Sequence, residues 1–301
     1  MRRLAIPLLT LFALVGCTAQ ESEQENAAAD PKTGPAASRG PEPTASARDY
    51  TFRLPIARYS YTSADYAVIE TAEQVLAKRC MADYSIAYEP PAQRAPTQAL
   101  DRRYGLSDES TAARYGYRLP PVRESAPDSG LGRDELVVLY GTRGAEKKSG
   151  PVEYRGRHIL VEGCLGKAAK DFRKDYDYPE GGAVATRISA QSFVDSQKDK
   201  AVLAGFTQWS GCMTKKGFGY SSPLDLFKVD KFEKGPVTDE EKATAVADVA
   251  CKNDTGLPET WLAVESRLQE AMIAKDSAVL RKLRGLHEKK VAAARAIVAK
   301  G

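Results

Sequence analysis

The chain has 301 residues, of which 43% are hydrophobic and 28% are charged. This length and composition are typical of one or two globular domains and exclude a chain that is disordered throughout. Lys and Arg number 44 against 40 Asp and Glu, a formal charge of +4, and so small an excess argues against a dedicated nucleic-acid binder.

The first 17 residues have the pattern of a bacterial export signal. Arg2 and Arg3 precede an apolar run of twelve residues, which is shorter than the roughly 18 residues that a membrane-spanning helix needs. Residues 14–17, Leu-Val-Gly-Cys, resemble the lipobox of bacterial lipoproteins. This resemblance implies that a diacylglyceryl group is attached to the Cys17 thiol and that the signal peptide, residues 1–16, is then removed.

The lipidated cysteine predicts a partner and a location. Two acyl chains bury many methylene groups, each worth about 0.8 kcal/mol, and this is enough for stable anchoring. We therefore expect the membrane as a partner, through the diacylglyceryl anchor, and the outer face of the cell membrane as the location. Two points stay open: a secreted protein that is cut elsewhere would lose Cys17, and export could follow the general secretory or the twin-arginine route.

A segment without large apolar residues follows the signal. Residues 18–49 contain no Val, Ile, Leu, Met or aromatic residue and include four prolines. Because such a segment has no apolar surface to bury, it cannot offset its conformational entropy by folding. Residues 17–49 are therefore predicted to be a disordered tether behind the lipidated cysteine, with a span of roughly 30 Å.

The remaining sequence predicts a mainly α fold with a small β element, in two disulfide-stapled helical subdomains, residues 50–187 and 188–301. Apolar residues at helical spacing, capping residues and terminal glycines indicate the helices. The predicted helices are 64–81 with Ser63 as N-cap, 107–115, 163–176, 189–216 ending at Gly217, and a helix from the capping box at Thr238 through Cys251. The predicted strands are 135–140 and 157–161.

The C-terminal residues 257–299 predict either one long helix or a hairpin of two helices, with Gly285 as the expected kink. One apolar stripe consists of Leu268, Met272, Val279, Leu283 and Leu286. Such a stripe packs on its own domain or on a partner helix. A scaffold that dimerises through the C-terminal helix is therefore an alternative function, and the oligomeric state stays open.

Four cysteines remain after Cys17, and they predict two disulfides. An even number of cysteines outside the cytosol is typical of a disulfide framework, and four cysteines allow three connectivities. No pair has Cys-x-x-Cys spacing, and neither His158 nor His287 stands near a cysteine with zinc-finger spacing. We therefore expect no metal site.

A short internal repeat selects one connectivity. Residues 80–88 and 212–220 both begin with Cys-Met and end with Tyr, and each copy has a proline eleven residues after its cysteine. Each copy ends a predicted helix and is followed by one further cysteine. The simplest duplication gives the disulfides Cys80–Cys164 and Cys212–Cys251. The alternative is a chance match between two helix ends.

Four short segments behind the lipobox carry a further resemblance: residues 77–88, 103–119, 209–223 and 246–257. Together they resemble secreted lipoproteins of actinobacteria, of the streptomycete type. The resemblance implies an extracytoplasmic location and brings no assigned activity. Ser85 stands where the second copy has Gly217, a departure that makes the end of the first helix harder to predict.

The sequence lacks the usual catalytic motifs. Gly-x-Ser-x-Gly, Ser-x-x-Lys and His-Glu-x-x-His do not occur, so no catalytic residues and no cofactor are expected. Lys148-Ser149-Gly150 predicts only a loop, and the acidic segment 171–180 lacks the ligand order of an EF-hand. Since paired carboxylates need spacing only in three dimensions, a cell-wall hydrolase that uses such a pair stays an alternative.

Tyrosine is concentrated in the first half of the folded part. Thirteen of the 14 tyrosines lie between residues 50 and 178. Tyrosine rings stack on sugars and peptides, but they also fill cores with the hydroxyl at the surface. The candidate ligand surface is Tyr59, Tyr61, Tyr115 and Tyr117.

These features together predict a lipid-anchored extracytoplasmic protein of the cell envelope. We interpret it as a non-catalytic binding or accessory module. A cell-wall polymer or an envelope protein is the candidate partner, and no nucleic acid is expected.

Overall fold

The structure is a computed structural model that describes residues 50–91, 101–121, 129–142 and 152–301. The predicted signal peptide, Cys17, the tether and the loop 148–150 lie outside the described residues. The described residues belong to one compact unit. It is mainly helical with a two-stranded hairpin and two disulfides, as the sequence predicts.

The helices occur in all four described ranges. The α-helices are α1 (Tyr50–Arg53), α2 (Ser63–Asp83), α3 (Glu109–Tyr115), α4 (Arg133–Tyr140), α5 (Gly163–Arg173), α6 (Pro179–Ser196), α7 (Lys200–Lys215), α8 (Asp230–Glu233), α9 (Asp239–Thr255), α10 (Leu257–Lys275) and α11 (Ser277–Val298). Two 3₁₀ helices are Pro55–Tyr59 and Pro223–Lys228.

One strand prediction is wrong. Residues 135–140 belong to α4, although their apolar run is also typical of a strand. The helix is stabilised at its N-terminus, where the Glu135 carboxylate accepts a hydrogen bond of 2.9 Å from the Gly132 N–H. Such a bond satisfies one of the free donors of a helix N-terminus.

The β element is smaller than predicted. Strands β1 (Glu153–Tyr154) and β2 (Arg157–His158) form an antiparallel hairpin in which Glu153 lies opposite His158. The predicted strand 157–161 therefore exists only in its first two residues. Gly156, with a φ of 76°, lies in the turn between the two strands.

Two long predicted helices are each interrupted. The predicted helix 189–216 consists of α6 and α7, because the Asp199 side chain accepts a hydrogen bond of 2.8 Å from Ala201 N and caps a new helix. The C-terminal region is a pair of helices that meet at Asp276, so the predicted kink at Gly285 is wrong. Helix α2 begins behind Thr62 as N-cap, one residue before the predicted cap Ser63.

The largest core cluster lies among α6, α7, α10 and α11. Trp209, Met213, Trp261 and Leu280 are buried there almost completely. A second cluster surrounds Met81 and includes residues of α2, α4 and α5. The predicted subdomain boundary near residue 187 falls inside α6.

Both disulfides have the pairing expected from the repeat. Cys80 is bonded to Cys164 with 5.6 Å between the Cα atoms, and Cys212 is bonded to Cys251 with 5.7 Å. Each bridge joins two helices that pack against each other, α2 with α5 and α7 with α9. The bridges therefore fasten existing helix contacts.

Part of the C-terminal apolar stripe, namely Leu268, Met272 and Leu283, packs inside the unit. Helix α11 contacts α2 and α6, and its residues Leu280, Leu283 and Val291 are buried. Leu268 and Met272 of α10 pack against the largest core cluster. Among the described residues, no helix combines the length and the apolar character that crossing a membrane requires.

Candidate functional site

A cavity of about 310 Å³ lies against one face of α9. Its other walls are the segments 102–106 and 117–119, the 3₁₀ helix Pro223–Lys228 and residue 232 in α8. The apolar lining consists of Leu106, Leu119, Pro223, Leu226, Phe227 and Phe232. The polar lining comes from Arg102, Tyr117, Arg118, Asp248 and Lys252.

Helix α9 presents a buried polar stripe to this part of the protein. Glu241, Thr244, Asp248 and Lys252 are each at most 2% exposed. They are separated by three, four and four residues, which places them on one face of the helix. Charged side chains are this deeply buried only when they are paired, so each must have a partner.

Asp248 and Lys252 form a buried ion pair at the cavity. The Lys252 Nζ donates to Asp248 Oδ2 at 2.8 Å and to the carbonyl oxygen of Leu106 at 3.3 Å. Trp209 Nε1 donates to Asp248 Oδ1 at 3.0 Å. Burial raises the pKa of Asp248, while Lys252 and the hydrogen bonds oppose that shift.

The backbone at Gly105 leaves room for the Lys252 ammonium. Gly105 has a φ of 85°, and a Cβ built there would lie 2.6 Å from the Lys252 Nζ. A side chain at this position would therefore be strained and would also press on the ion pair. Glycine allows the segment 102–106 to pass close to α9.

Glu241 holds the loop after α3 against the same face of α9. Its Oε1 accepts hydrogen bonds from Tyr117 N at 3.1 Å and from Arg118 Nε at 3.2 Å. The Tyr117 ring stacks on Phe232 with 5.4 Å between centroids. The Tyr117 hydroxyl lies beside Asp248 without a hydrogen bond of ordinary geometry, and burial with this neighbouring charge raises the pKa of Tyr117.

Arg102, in the segment 102–106, is the third cation of the cavity lining. Its guanidinium donates to the carbonyl oxygens of Tyr117 and Arg118, the latter at 2.8 Å. Its Nε is buried without a hydrogen-bond partner. Desolvation lowers the pKa of Arg102. No side-chain carboxylate of the described residues pairs with it.

The mouth of the cavity is apolar and exposed. Leu119 is 70% exposed and Phe227 is 52% exposed, although both line the cavity. Large apolar side chains that are exposed beside a concave site are typical of binding surfaces. The cavity therefore combines an apolar mouth with a charged interior wall.

A second buried carboxylate, Glu265 of α10, belongs to a closed network away from the cavity. It accepts hydrogen bonds of 2.8 Å from the Tyr104 and Ser192 hydroxyls, and it pairs with Arg103. Gln269 also contacts its Oε1. Because its partners come from three parts of the chain, this network has a structural role in joining them.

The four tyrosines of the candidate ligand surface lie in different surroundings. Tyr59 is 8% exposed and belongs to the largest core cluster. Tyr61 stacks on His287 with 4.0 Å between ring centroids. Tyr115 is half-buried at the end of α3, and Tyr117 lines the cavity. The structure therefore brings one of the four to the cavity.

The predicted acidic segment 171–180 spans the end of α5, the turn after it and the first two residues of α6. Asp171 pairs with Lys167 on an exposed face of α5, and this contact lowers the pKa of Asp171. Within the described ranges, His, Cys, Asp and Glu side chains do not group in threes or more so as to hold a metal ion. Among the described residues that line the cavity, Asp248 is the single carboxylate.

Sequence reasoning missed the charged stripe of α9 because charged residues on a helix ordinarily face solvent. The available signal was the spacing of Glu241, Thr244, Asp248 and Lys252, which follows one helical face and runs past a disulfide cysteine.

Comparisons of the chain with protein-family models, with curated proteins and with solved structures give no significant match.

Proposed function

We propose that this protein is a lipid-anchored protein of the cell envelope whose folded unit is a non-catalytic binding module. The observation that carries the binding role is the cavity of about 310 Å³ with its apolar mouth and charged interior wall. Ligand sites are typically concave and mostly apolar, with a few polar groups that fix orientation. The cavity has this composition.

The proposed location is the outer face of the membrane. Two features support it: the lipobox that ends at Cys17 and the two disulfides, which are typical of proteins outside the cytosol. The resemblance to secreted actinobacterial lipoproteins agrees with the same location. The segment 18–49 would then let the folded unit reach ligands away from the bilayer.

The state of Asp248 favours binding over hydrolysis at this site. A glycosidase of the paired type needs two carboxyl groups on either side of the bond that is cleaved. Asp248 is instead 1% exposed and already held by Lys252 and Trp209. Because both of its oxygens already accept hydrogen bonds, Asp248 stabilises the wall of the cavity.

The anchor is tested by metabolic labelling in a bacterium that lipidates its exported proteins. With an alkyne-bearing palmitate analogue, we expect the protein to be labelled and to fractionate with membranes. Cys17→Ser should lose both properties, whereas the neighbouring change Thr18→Ser should keep them. A wild-type chain that starts at another residue or carries no acyl group would contradict the proposed anchor.

The binding role is tested by photo-crosslinking in the same cells. A p-benzoylphenylalanine in place of Phe227, at the cavity mouth, should capture a ligand, which mass spectrometry detects as an adduct. The matched control replaces Phe52, which is 48% exposed and does not line the cavity. Equal adducts at both positions, or none at Phe227, would contradict a binding role for the cavity.

A further inference from the structure

Arg102 differs from the other two cations of the cavity wall in what balances its charge. Lys252 is paired with Asp248, and Arg118 is paired with Glu241. The guanidinium of Arg102 meets two backbone carbonyl oxygens, which carry no net charge. Among the described residues, Arg102 is the cavity-lining cation without a carboxylate.

A partly buried guanidinium without a counter-ion is costly. Removing a charge from water is unfavourable unless an opposite charge or strong hydrogen bonds replace the lost hydration. Within the part of the chain that the structure describes, the buried Nε of Arg102 has no hydrogen-bond acceptor. A group that brings negative charge to this wall would therefore be stabilised there.

The apolar part of the cavity lining selects for apolar groups. Leu226 and Phe232 are buried, and Leu119 and Phe227 continue the apolar lining to the surface. A small hydrophilic anion would leave this surface without a partner. A cation would be repelled by the uncompensated charge of Arg102.

We propose that the cavity binds a small amphipathic anion, whose charged group pairs with the Arg102 guanidinium and whose apolar body lies against Leu226 and Phe227. The inference rests on the proposed binding role of the cavity and specifies its ligand class. Guanidinium groups suit carboxylates, sulfonates and phosphates because their planar donors match these oxygens. With about 310 Å³, the cavity is at the small end of ligand sites, which favours a small aromatic body or a single acyl chain of moderate length.

The test compares two fluorescent probes that share an apolar body. The anionic probe is 8-anilino-1-naphthalenesulfonate, and the neutral probe is N-phenyl-1-naphthylamine, which lacks the sulfonate. The protein is the full chain from residue 17 with Cys17→Ser. We expect one site on the folded protein and about tenfold tighter binding of the anion. This preference should shrink as ionic strength rises.

Two sets of variants locate the site. Arg102→Met should abolish the preference for the anion, and Arg102→Lys should keep part of it, because lysine retains the charge. Phe227→Ser should weaken both probes several-fold, whereas the control Phe52→Ser, a change of equal size at a similarly exposed position, should leave both unchanged. Since Arg102 also holds the loop 117–118, circular dichroism must show native helix content in each variant.

Competition then distinguishes an acyl chain from a ring as the natural apolar body. Decanoate and 1-naphthoate should each displace the anionic probe better than decanol and naphthalene do. If decanoate or 1-naphthoate alone succeeds, the anionic class still holds and the apolar body is identified. Displacement by neither acid overturns the proposal.

The outcomes separate this inference from the proposed function. If both probes bind with equal affinity and both respond to Phe227→Ser, the cavity is a binding site but the anionic class is wrong. The same conclusion follows if a folded Arg102→Met keeps the preference. If neither probe binds, or if Phe52→Ser has the same effect as Phe227→Ser, the ligand class and the binding role of the cavity both fail.

Discussion

The two Cys-Met helix ends have the same local structure and different surroundings. In the first copy, residues 80–88, the N–H of Ile86 donates to the carbonyl of Met81 at 3.1 Å. In the second copy, residues 212–220, the N–H of Phe218 donates to the carbonyl of Met213 at 2.9 Å. The residue before each donor has a positive φ, 56° at Ser85 and 89° at Gly217. Both ends use the same left-handed turn to stop a helix.

The difference between the copies lies one turn upstream and across the disulfide. Three residues before its cysteine, the first copy has Ala77 and the second has Trp209, and both are fully buried. Trp209 reaches Asp248 on α9. The second disulfide also ends on α9, at Cys251, between Asp248 and Lys252.

One local design therefore serves two purposes in this protein. In the first copy, the helix end and its disulfide fasten α2 to α5. In the second copy, the same device holds α7 against the helix that carries the charged wall of the cavity. Removing matching parts of the two copies should therefore change stability in both cases and the cavity in one.

The largest expected effect comes from removing the disulfides. Cys80→Ser/Cys164→Ser opens a loop with a sequence separation of 84, and Cys212→Ser/Cys251→Ser opens one with a separation of 39. In the chain-entropy description, each double change lowers the free energy of unfolding by about 4–5 kcal/mol, slightly more for the longer loop. Guanidinium unfolding of the two variants measures this loss.

Probe binding then distinguishes the two disulfides. Cys212→Ser/Cys251→Ser should weaken binding of the anionic probe, because Cys251 lies between the two charged residues of the wall. The first double variant, still folded at low denaturant, should keep wild-type affinity. Equal loss of affinity in both variants would show that the cavity depends only on global stability. The second disulfide would then have no specific role at the cavity.

The next effect is expected at Trp209. Trp209→Ala gives the second copy the residue of the first, and it should lower the free energy of unfolding by about 3–5 kcal/mol because it leaves a large void in the core. Trp209→Phe keeps most of the volume but removes the donor to Asp248, which should cost about 1–3 kcal/mol. Denaturant unfolding of both variants gives the two values.

The Phe variant is the informative one for the cavity. If Trp209→Phe costs nothing, the indole N–H does not support Asp248, and the link between the second copy and the cavity wall is broken. A loss in the expected range means that the hydrogen bond, and not only the ring, distinguishes this copy from the one with Ala77.

The repeat also shows how far the sequence predicts this protein. The common frame of the two copies predicts both disulfide partners, because each copy is followed by one further cysteine and a duplication pairs the two. The frame also predicts the stop at Gly217, where glycine adopts a positive φ at little cost. The helix stop depends on neighbouring residues and the pairing on the order of the cysteines, and a sequence records both directly.

Features that depend on distant residues were not predictable in this way. Residues 135–140 have the composition of a strand, but they belong to a helix that packs against α5 and α2. Asp248 and Lys252 are charged, and their helical spacing alone does not show that they are buried against Leu106 and Trp209. The cavity is formed by segments that lie more than a hundred residues apart, and its lining follows only from the tertiary structure.

A smaller effect is expected from exchanging the turn residues of the two copies. Ser85→Gly should raise the free energy of unfolding by up to about 1 kcal/mol, because glycine adopts the positive φ without a Cβ penalty. Gly217→Ser should lower it by about 1 kcal/mol for the same reason. Denaturant unfolding of both single variants and of the double exchange tests whether the two turns are equivalent. Changes of the same sign would show that they are not.

The smallest effect concerns the packing of α2 against α11. His287 of α11 is half-buried under the Tyr61 ring, and burial together with Lys290 lowers the pKa of His287. Between this lowered pKa and the unfolded value of about 6.5, the unfolded chain binds a proton that the folded protein does not. Stability should therefore fall as the pH decreases from 7 to 5.5.

Replacing each of the two histidines separately identifies the source of that pH dependence. His287→Gln should flatten the dependence of the unfolding free energy between pH 7 and 5.5, while His158→Gln, an exposed position in β2, should leave it unchanged. The helices that pack against α7, namely α9 and α10, contain no histidine. Acid should therefore loosen the packing of α2 before that of α7. Native-state hydrogen exchange measures this order, and earlier exchange in α7 at pH 5.5 would show that the acid response does not start at His287.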